Sequence, residues 1–202
     1  GSTEVPRVSY CWRDEPELAA TTDGQRYAFQ VKVLDDDGAE VPPGTDGELA
    51  ARGPGMMLGY ADPEQNAAAH TADGFFLTGD IGRITPEGAV LITDRKKDII
   101  IRGGENLSAK EIEDALHRHP GILEVAVVAM PHARLGEGVC ALVIPRSYAA
   151  PTLEDIAAFT EGAGLARQKI PEKLVIVEDL PRTPSGKVRK DILRKRLKEG
   201  EL

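Results

Sequence analysis

Cysteine is scarce in this chain, positive charge is outweighed, and long apolar runs are missing; each shortage removes a class of protein. Cys11 and Cys140 are the only cysteines in 202 residues, far apart and outside any Cys-x-x-Cys or Cys/His spacing. Neither a zinc site nor a disulfide scaffold is indicated, so both are read as inert thiols in a reducing cytosol. Lysine and arginine number 25 against 33 aspartates and glutamates, a formal net charge of -8. A nucleic-acid surface needs a basic face, and this acidic average argues against one, the C-terminal tail being the exception. No apolar stretch is long enough to span a bilayer, so a soluble, cytoplasmic protein without a transmembrane segment is expected. The sequence also lacks an initial Met and a charged-then-apolar leader, so a fragment is expected, or a tag scar at Gly1-Ser2.

What is present is ordinary globular composition, 41% hydrophobic and 29% charged, in a chain long enough for two small domains with real cores. Residues 1–24 are polar and irregular. From Tyr27, YAFQVKVLDDDGAEVPPGTDGELAARGPG reads as strand, Asp-Gly turn, proline-rich loop and second strand. Phe29, Val31 and Val33 alternate with Gln30 and Lys32, giving one buried face and one wet face. GFFLTGDIGRITPEGAVLITDR repeats the scheme around the Pro86-Glu87-Gly88 turn, and DPEQNAAAH, with Pro63 near its start, suits a short helix. Residues from about 25 to 94 therefore read as a small antiparallel sheet or barrel, within a β-barrel subdomain expected over 1–96.

Chain character changes after Arg95. DIIIRGGEN is a brief strand ending in paired glycines, and SAKEIEDALHRHPG is a helix. Ser108 and Glu111 have capping-box spacing, Ile112, Ala115 and Leu116 share one face, and Pro120-Gly121 ends the element. EVAVVAMP and GVCALVIP follow as strands, then a helix from Thr152 to about Thr160, a strand KLVIVEDL, and a basic terminal helix. The order strand, helix, strand, strand, helix, strand predicts a compact α+β domain of ferredoxin-like type over 97–202.

The loop before the last helix, PRTPSGKVRK, is half a phosphate loop. A Walker A loop needs a leading Gly and a hydroxyl after the Gly-Lys pair; here Pro181 and Val188 stand in those places. Lys187 needs another role. TGD at 78–80, DRKKD at 94–98 and RGGEN at 102–106 are equally distinctive, although singly they read as a turn, a solvated charge run and a tight bend.

Taken in order, these segments resemble the adenylate-forming superfamily of acyl-CoA synthetases, peptide-synthetase adenylation domains and beetle luciferases. Gly1-Ser2-Thr3-Glu4 is similar to the end of its Tyr-Gly-x-Thr-Glu motif, and GELAARGPGMMLGY to its GEL-x-RGP segment. ADGFFLTGDIGRI, ITDRKKDIIIRGGENLSAKEIEDAL and LPRTPSGKVRK follow in the family's order and spacing.

The resemblance implies a two-step acid-CoA ligase using ATP, Mg2+ and coenzyme A. A carboxylate attacks the α-phosphate of ATP, and coenzyme A sulfur then displaces AMP from the acyl-adenylate. In that frame Asp80 and Arg95 bind the ribose, Thr3 touches the α-phosphate and Glu4 holds magnesium. Lys187 is the mobile catalytic cation of the adenylation step, and Lys97 stands at the hinge about which the small domain rotates. Arg102, Gly103, Gly104 and Glu105 would line a pantetheine tunnel, with Arg167 and Lys169 near the coenzyme A phosphates. Gln168 stands where many relatives carry an aromatic residue. The P-x-x-x-x-G-K pattern ending at Lys187 resembles a site of lysine acetylation, implying an acetyltransferase and a deacetylase as partners.

Within the superfamily the wording resembles ligases for medium-chain, alicyclic (cyclohexanecarboxylate-type) or aromatic acids. An aminoacyl-adenylating domain and a free-standing ferredoxin-like binding module are the alternatives. In this family the acyl pocket and pyrophosphate loop lie before Gly1, in an N-terminal part of the same polypeptide, so the acid is not readable here and the 202 residues alone are expected to be inactive.

Overall fold

The computed structural model describes residues 1–146 and 150–202. These fall into two compact units, Gly1–Lys97 and Asp98–Leu202.

In the first unit, β1 (Ser9–Tyr10) and β2 (Gln25–Arg26) pair antiparallel around a short helix, α1 (Pro16–Thr21). Four longer strands, β3 (Gln30–Leu34), β4 (Gly47–Arg52), β5 (Phe76–Ile84) and β6 (Val90–Arg95), form an antiparallel sheet in sequence order. Of the barrel and the sheet that the pattern allowed, the protein forms an open sheet. Helix α2 (Pro63–Ala69) starts where Asp62 accepts the Glu64 N–H at 2.9 Å and Pro63 fills the first turn. Val31, Val33, Leu49, Ala51, Phe76 and Val90 bury one face with Val5 and Phe29. The other face is not simply wet, because Leu34, Ala50 and Phe75 form a second buried cluster there. Lys32 and Arg52 cover it, each cation 4.5 Å from the Phe75 ring centre, an arrangement that shields apolar surface while the charged heads stay in water. Register shifts between Glu48 and Ala50 and between Ile81 and Gly82 flank the TGD segment. Bulges of this kind re-aim the side chains beside them.

The second unit contains β7 (Ile100–Arg102), β8 (Glu105–Leu107), α3 (Ala109–Leu116), β9 (Ile122–His132), β10 (Gly136–Pro145), α4 (Leu153–Gly162), β11 (Lys173–Ile176) and α5 (Lys190–Glu199). Strand β10 is central: β9 runs antiparallel along it from Gly136↔His132 to Pro145↔Ile122, and β11 runs parallel on its other edge from Cys140↔Lys173 to Val143↔Ile176. The β7–β8 hairpin meets β10 at a single register position, Arg102↔Gly136.

The unbroken apolar runs of β9 and β10 follow from burial on both faces. Val125, Val127, Val139, Ala141 and Val143 pack with Ile112 and Leu116 of α3 and Ile156 of α4. Ala126, Val128, Cys140 and Leu142 pack with Leu180 and with Leu193 and Leu197 of α5. The α+β class predicted for this unit is what the structure shows, with the final strand lying directly beside β10. Ser108 accepts the Glu111 N–H at 3.0 Å, while Thr152 and Asp155 form a full reciprocal capping box at the start of α4. Burial pushes the Cys140 thiol up to about 11, so it stays protonated and inert.

Helix α5 is fastened by two ion pairs. Arg194 Nη1 lies 2.8 Å from Asp98 Oδ1, their side chains 22% and 10% exposed, and Lys190 Nζ lies 2.8 Å from Glu113 Oε1. Removing one member of a buried pair strands the other charge, at a cost of about 3 kcal/mol. Arg194→Ala is therefore expected to lower the urea midpoint of the chain clearly, and adding Asp98→Asn to recover part of the loss. Equal midpoints for wild type and Arg194→Ala would show that water already screens the pair.

Candidate functional site

Within the first unit the sheet register sets Asp80 of β5 directly opposite Arg95 of β6. Arg95 Nη1 donates to Asp80 Oδ1 at 2.7 Å, the carboxylate 20% exposed and the guanidinium half exposed. The backbone around Asp80 is locked. Its N–H donates to Thr78 Oγ1 at 3.1 Å, the Thr78 hydroxyl donates to the Leu49 carbonyl at 2.8 Å, and the Gly79 N–H reaches Glu48 Oε1 at 3.2 Å. Lys96 Nζ holds the other Glu48 oxygen at 2.7 Å. Gly79 has φ of 69°, a conformation that glycine adopts without strain. Burial raises the Asp80 pKa above the ordinary carboxylate value even though Arg95 opposes the shift. One oxygen of Asp80 serves Arg95, and the other has no protein donor among the described residues.

Glu4 is anchored to the same unit by residues that the sequence reading gave no role. The Met57 N–H donates to the Glu4 carbonyl at 2.8 Å, and the Tyr60 hydroxyl donates to Glu4 Oε1 at 3.2 Å. The Ser2 hydroxyl, the backbone, Tyr60 and the positive charge of Arg95 hold the Glu4 carboxyl below its ordinary pKa. Tyr60 is itself gripped by Asn66 of α2, whose Oδ1 accepts the Tyr60 N–H at 2.6 Å and whose amide donates to the Tyr60 carbonyl at 2.7 Å. Gly59 is required between them, because a Cβ there would lie 2.8 Å from Asn66 Oδ1. The signal was available: Gly59-Tyr60 closes the GPGMMLGY run. Thr3 is exposed, and Lys97 is an exposed member of the 3-10 turn Lys96–Asp98 with no ion pair among the described residues.

In the second unit PRTPSGKVRK folds as a miniature hairpin. The Gly186 N–H donates to the Thr183 carbonyl at 2.9 Å, the Thr183 N–H to the Lys187 carbonyl at 2.8 Å, and the Arg189 N–H to the Pro181 carbonyl at 2.7 Å. Pro184 enters the turn and Gly186 leaves it at φ 87°. Arg182 binds the Gly186 carbonyl at 3.0 Å and pairs with Glu124, tying the loop to β9. Lys187 stands exposed on this braced turn. Its basic neighbours Arg182, Arg189, Lys190 and Arg194 are all paired with carboxylates, whereas its own ammonium has no partner among the described residues.

Gly103 and Gly104 form the exposed tip of the β7–β8 hairpin with φ of 60° and 89°, and Glu105 beside them is exposed. Lys169 ends the 3-10 turn Arg167–Lys169 and is held by both oxygens of Glu111 at 2.7 and 2.6 Å. Arg167 is exposed. The structure thus pairs Asp80 with Arg95 in the first unit, with Glu4 of the same unit feeling the charge of Arg95, and places Lys187 and the glycine pair on separate turns of the second.

Residues 111–187 match the family model for the AMP-binding enzyme C-terminal domain. Among curated proteins the chain is 44% identical over 199 residues to the medium-chain fatty-acid–CoA ligase of Escherichia coli (strain K12), covering 96% of this chain and 35% of that protein. It is 41% identical over 196 residues to the 2,3-dihydroxybenzoate-AMP ligase of Bacillus subtilis (strain 168), covering 95% of this chain and 36% of that protein. Among solved structures, ATP-bound MatB from Rhodopseudomonas palustris superposes with a TM-score of 0.83 at 37% identity, over 90% of this chain and 37% of that one. The chain spans about a third of the length of these relatives, 35% and 36% of the two curated proteins.

Proposed function

Because this chain carries the C-terminal domain of the adenylate-forming, AMP-binding enzymes, we propose that it is the C-terminal part of an acid-CoA ligase. The carboxylate of a fatty, alicyclic or aromatic acid attacks the α-phosphorus of ATP; the bond to the bridging oxygen of pyrophosphate breaks and acyl-AMP forms. The coenzyme A thiolate then attacks the acyl carbon, and AMP leaves with the C–O electron pair. The observation that supports this reading best is Lys187: a lone ammonium on a rigid turn, kept clear of the carboxylates that neutralise its neighbours. Such a cation is available to bridge the incoming carboxylate and the α-phosphate, where charge grows in the transition state.

Asp80 and Arg95 supply the acceptor and donor for the ribose, with Thr3 beside the α-phosphate. Glu4, kept ionised by its hydroxyl donors, fits magnesium, which binds through one or two carboxylates together with substrate phosphates; when bound, the ion supplies Lewis-acid neutralisation of the phosphate charge. Lys97 serves as the hinge, and the Gly103-Gly104 tip faces pantetheine. Lys169 is placed near the coenzyme A phosphates only if Glu111 releases it. A cytoplasmic location and reversible acetylation of Lys187 belong to the same reading.

The 2,3-dihydroxybenzoate-AMP ligase among the relatives favours a second reading, an acid-AMP ligase that passes the acyl group elsewhere. A free-standing binding module would leave the Asp80–Arg95 pair of the first unit without a role. The longer polypeptide, given ATP, Mg2+, coenzyme A and a panel of carboxylic acids, is expected to yield AMP, pyrophosphate and acyl-CoA in equal amounts. Acyl-AMP without thioester would support the second reading, and no pyrophosphate with any acid would count against both. The 202-residue chain alone is expected to show no ATP–pyrophosphate exchange, and measurable exchange would overturn its assignment as a part.

A further inference from the structure

The tip carrying Gly103 and Gly104 closes the β7–β8 ladder at Arg102↔Glu105, but that hairpin joins β10 at one register position only. Side chains and one loop carbonyl fasten the hairpin to the rest of the unit. Glu137 of β10 accepts the Ile101 N–H at 2.7 Å, and the Gly103 N–H donates to the Leu135 carbonyl at 2.9 Å in the β9–β10 connection. Between them lies Arg102, whose Nη2 donates to Glu172 Oε1 at 2.7 Å, the two side chains 22% and 28% exposed.

Glu172 is fixed from several sides. Its N–H donates to the Val139 carbonyl at 2.9 Å and its Oε2 accepts the Val139 N–H at 3.3 Å, so both ends of the residue grip β10. His132 Nδ1 accepts the Arg134 and Leu135 N–H groups at 3.3 and 3.1 Å, which leaves its proton on Nε2, 3.9 Å from the same carboxylate. Gly138 makes room: a Cβ there would lie 2.5 Å from Glu172 Oε2. Arg102 Nε is buried without a hydrogen-bond partner among the described residues, so Glu172 is the main carboxylate that holds the guanidinium, with the charge of Glu105 adding to it.

We infer that Glu172 is a positioning residue for thioester formation, holding Arg102 and through it the Gly103-Gly104 turn in the shape that coenzyme A meets. The inference rests on the acid-CoA ligase reading above. Among the described residues no hydrogen bond or ion pair joins Glu172 to Lys187, so its loss is expected to act on one half-reaction. A ligand tunnel built from exposed glycines has little stiffness of its own, and the stiffness comes from the carboxylate behind it.

The test uses the longer, active polypeptide and compares wild type, Glu172→Ala and Glu172→Gln. Glu172→Ala is expected to raise the KM for coenzyme A about tenfold, as the loss of one charge-assisted hydrogen bond does. ATP–pyrophosphate exchange should stay within about twofold, and hydrogen exchange at the Gly103 amide should quicken. Glu172→Gln keeps an acceptor for Arg102 and should show about a threefold rise, which keeps the test open if the alanine variant does not fold. An unchanged KM for coenzyme A in a folded variant overturns the inference alone, as does an equal fall in both half-reactions. Wild-type protein that forms acyl-AMP but never thioester overturns the ligase reading and the inference with it.

Discussion

Replacing Lys187 with alanine in the longer polypeptide is expected to lower acyl-adenylate formation by about 10²–10³-fold, the usual effect of deleting one preorganised electrostatic group, while thioester formation from supplied acyl-AMP is retained. The expectation follows from the loop. Its backbone closes on itself through Thr183, Gly186 and Lys187, and Arg182 ties it to Glu124, so the alanine variant keeps its turn and loses only the ammonium. Arginine should not rescue it, since a planar fork cannot reach two differently placed oxygens as a compact ammonium can. Protein acetylated at Lys187 should behave as the alanine variant does, because the charge is gone and the side chain is otherwise intact. Both half-reactions measured separately check this; normal adenylation in either form would remove the lysine from the mechanism.

The extent to which sequence disclosed this protein depended on the range of the interactions involved. Period-two alternation around Phe29, Val31 and Val33 and the three- and four-residue spacing of Ile112, Ala115 and Leu116 are local signals, and those residues are buried as the patterns require. Asp80 and Lys187 stand out in the sequence as candidates because their neighbours are equally unusual. Tyr60 and Glu172 were passed over because their partners, Glu4 and Arg102, are distant in sequence, and nothing local in a tyrosine or glutamate announces such a contact. Lys169 shows the converse: it was read as a basic group for phosphate, yet Glu111 on α3 holds it. The cation-covered apolar cluster at Leu34, Ala50 and Phe75 was hidden for the same reason, since alternation alone leaves Lys32 looking like a solvated residue.

Asp80→Asn is expected to separate stability from function. In the proposed ligase Asp80 accepts from two ribose hydroxyls, which an amide does not replace, and two charge-assisted hydrogen bonds at about 1.5 kcal/mol each correspond to about a hundredfold loss in kcat/KM for ATP. The fold should respond in the opposite sense. Burial raises the folded pKa of Asp80 above its unfolded value despite Arg95, so at neutral pH the native state carries this charge at a cost. That cost is present above the folded pKa and is relieved as pH falls through it towards the unfolded value, because the native state then binds the proton more readily than the unfolded chain. Asparagine mimics the protonated form, and Arg95, half exposed, can be solvated when its partner loses charge. The variant should therefore melt no lower than wild type at pH 7, with the difference between them shrinking as the solution is made acidic. Melting scans over that range and ATP kinetics on the longer polypeptide check the two halves independently. A several-degree drop in melting temperature at pH 7 would mean that the Arg95 pair outweighs desolvation, whereas unchanged ATP kinetics would remove Asp80 from the ribose. A variant that is as stable as its parent and a hundredfold poorer with ATP identifies a carboxylate kept charged for ligand binding at the expense of the fold.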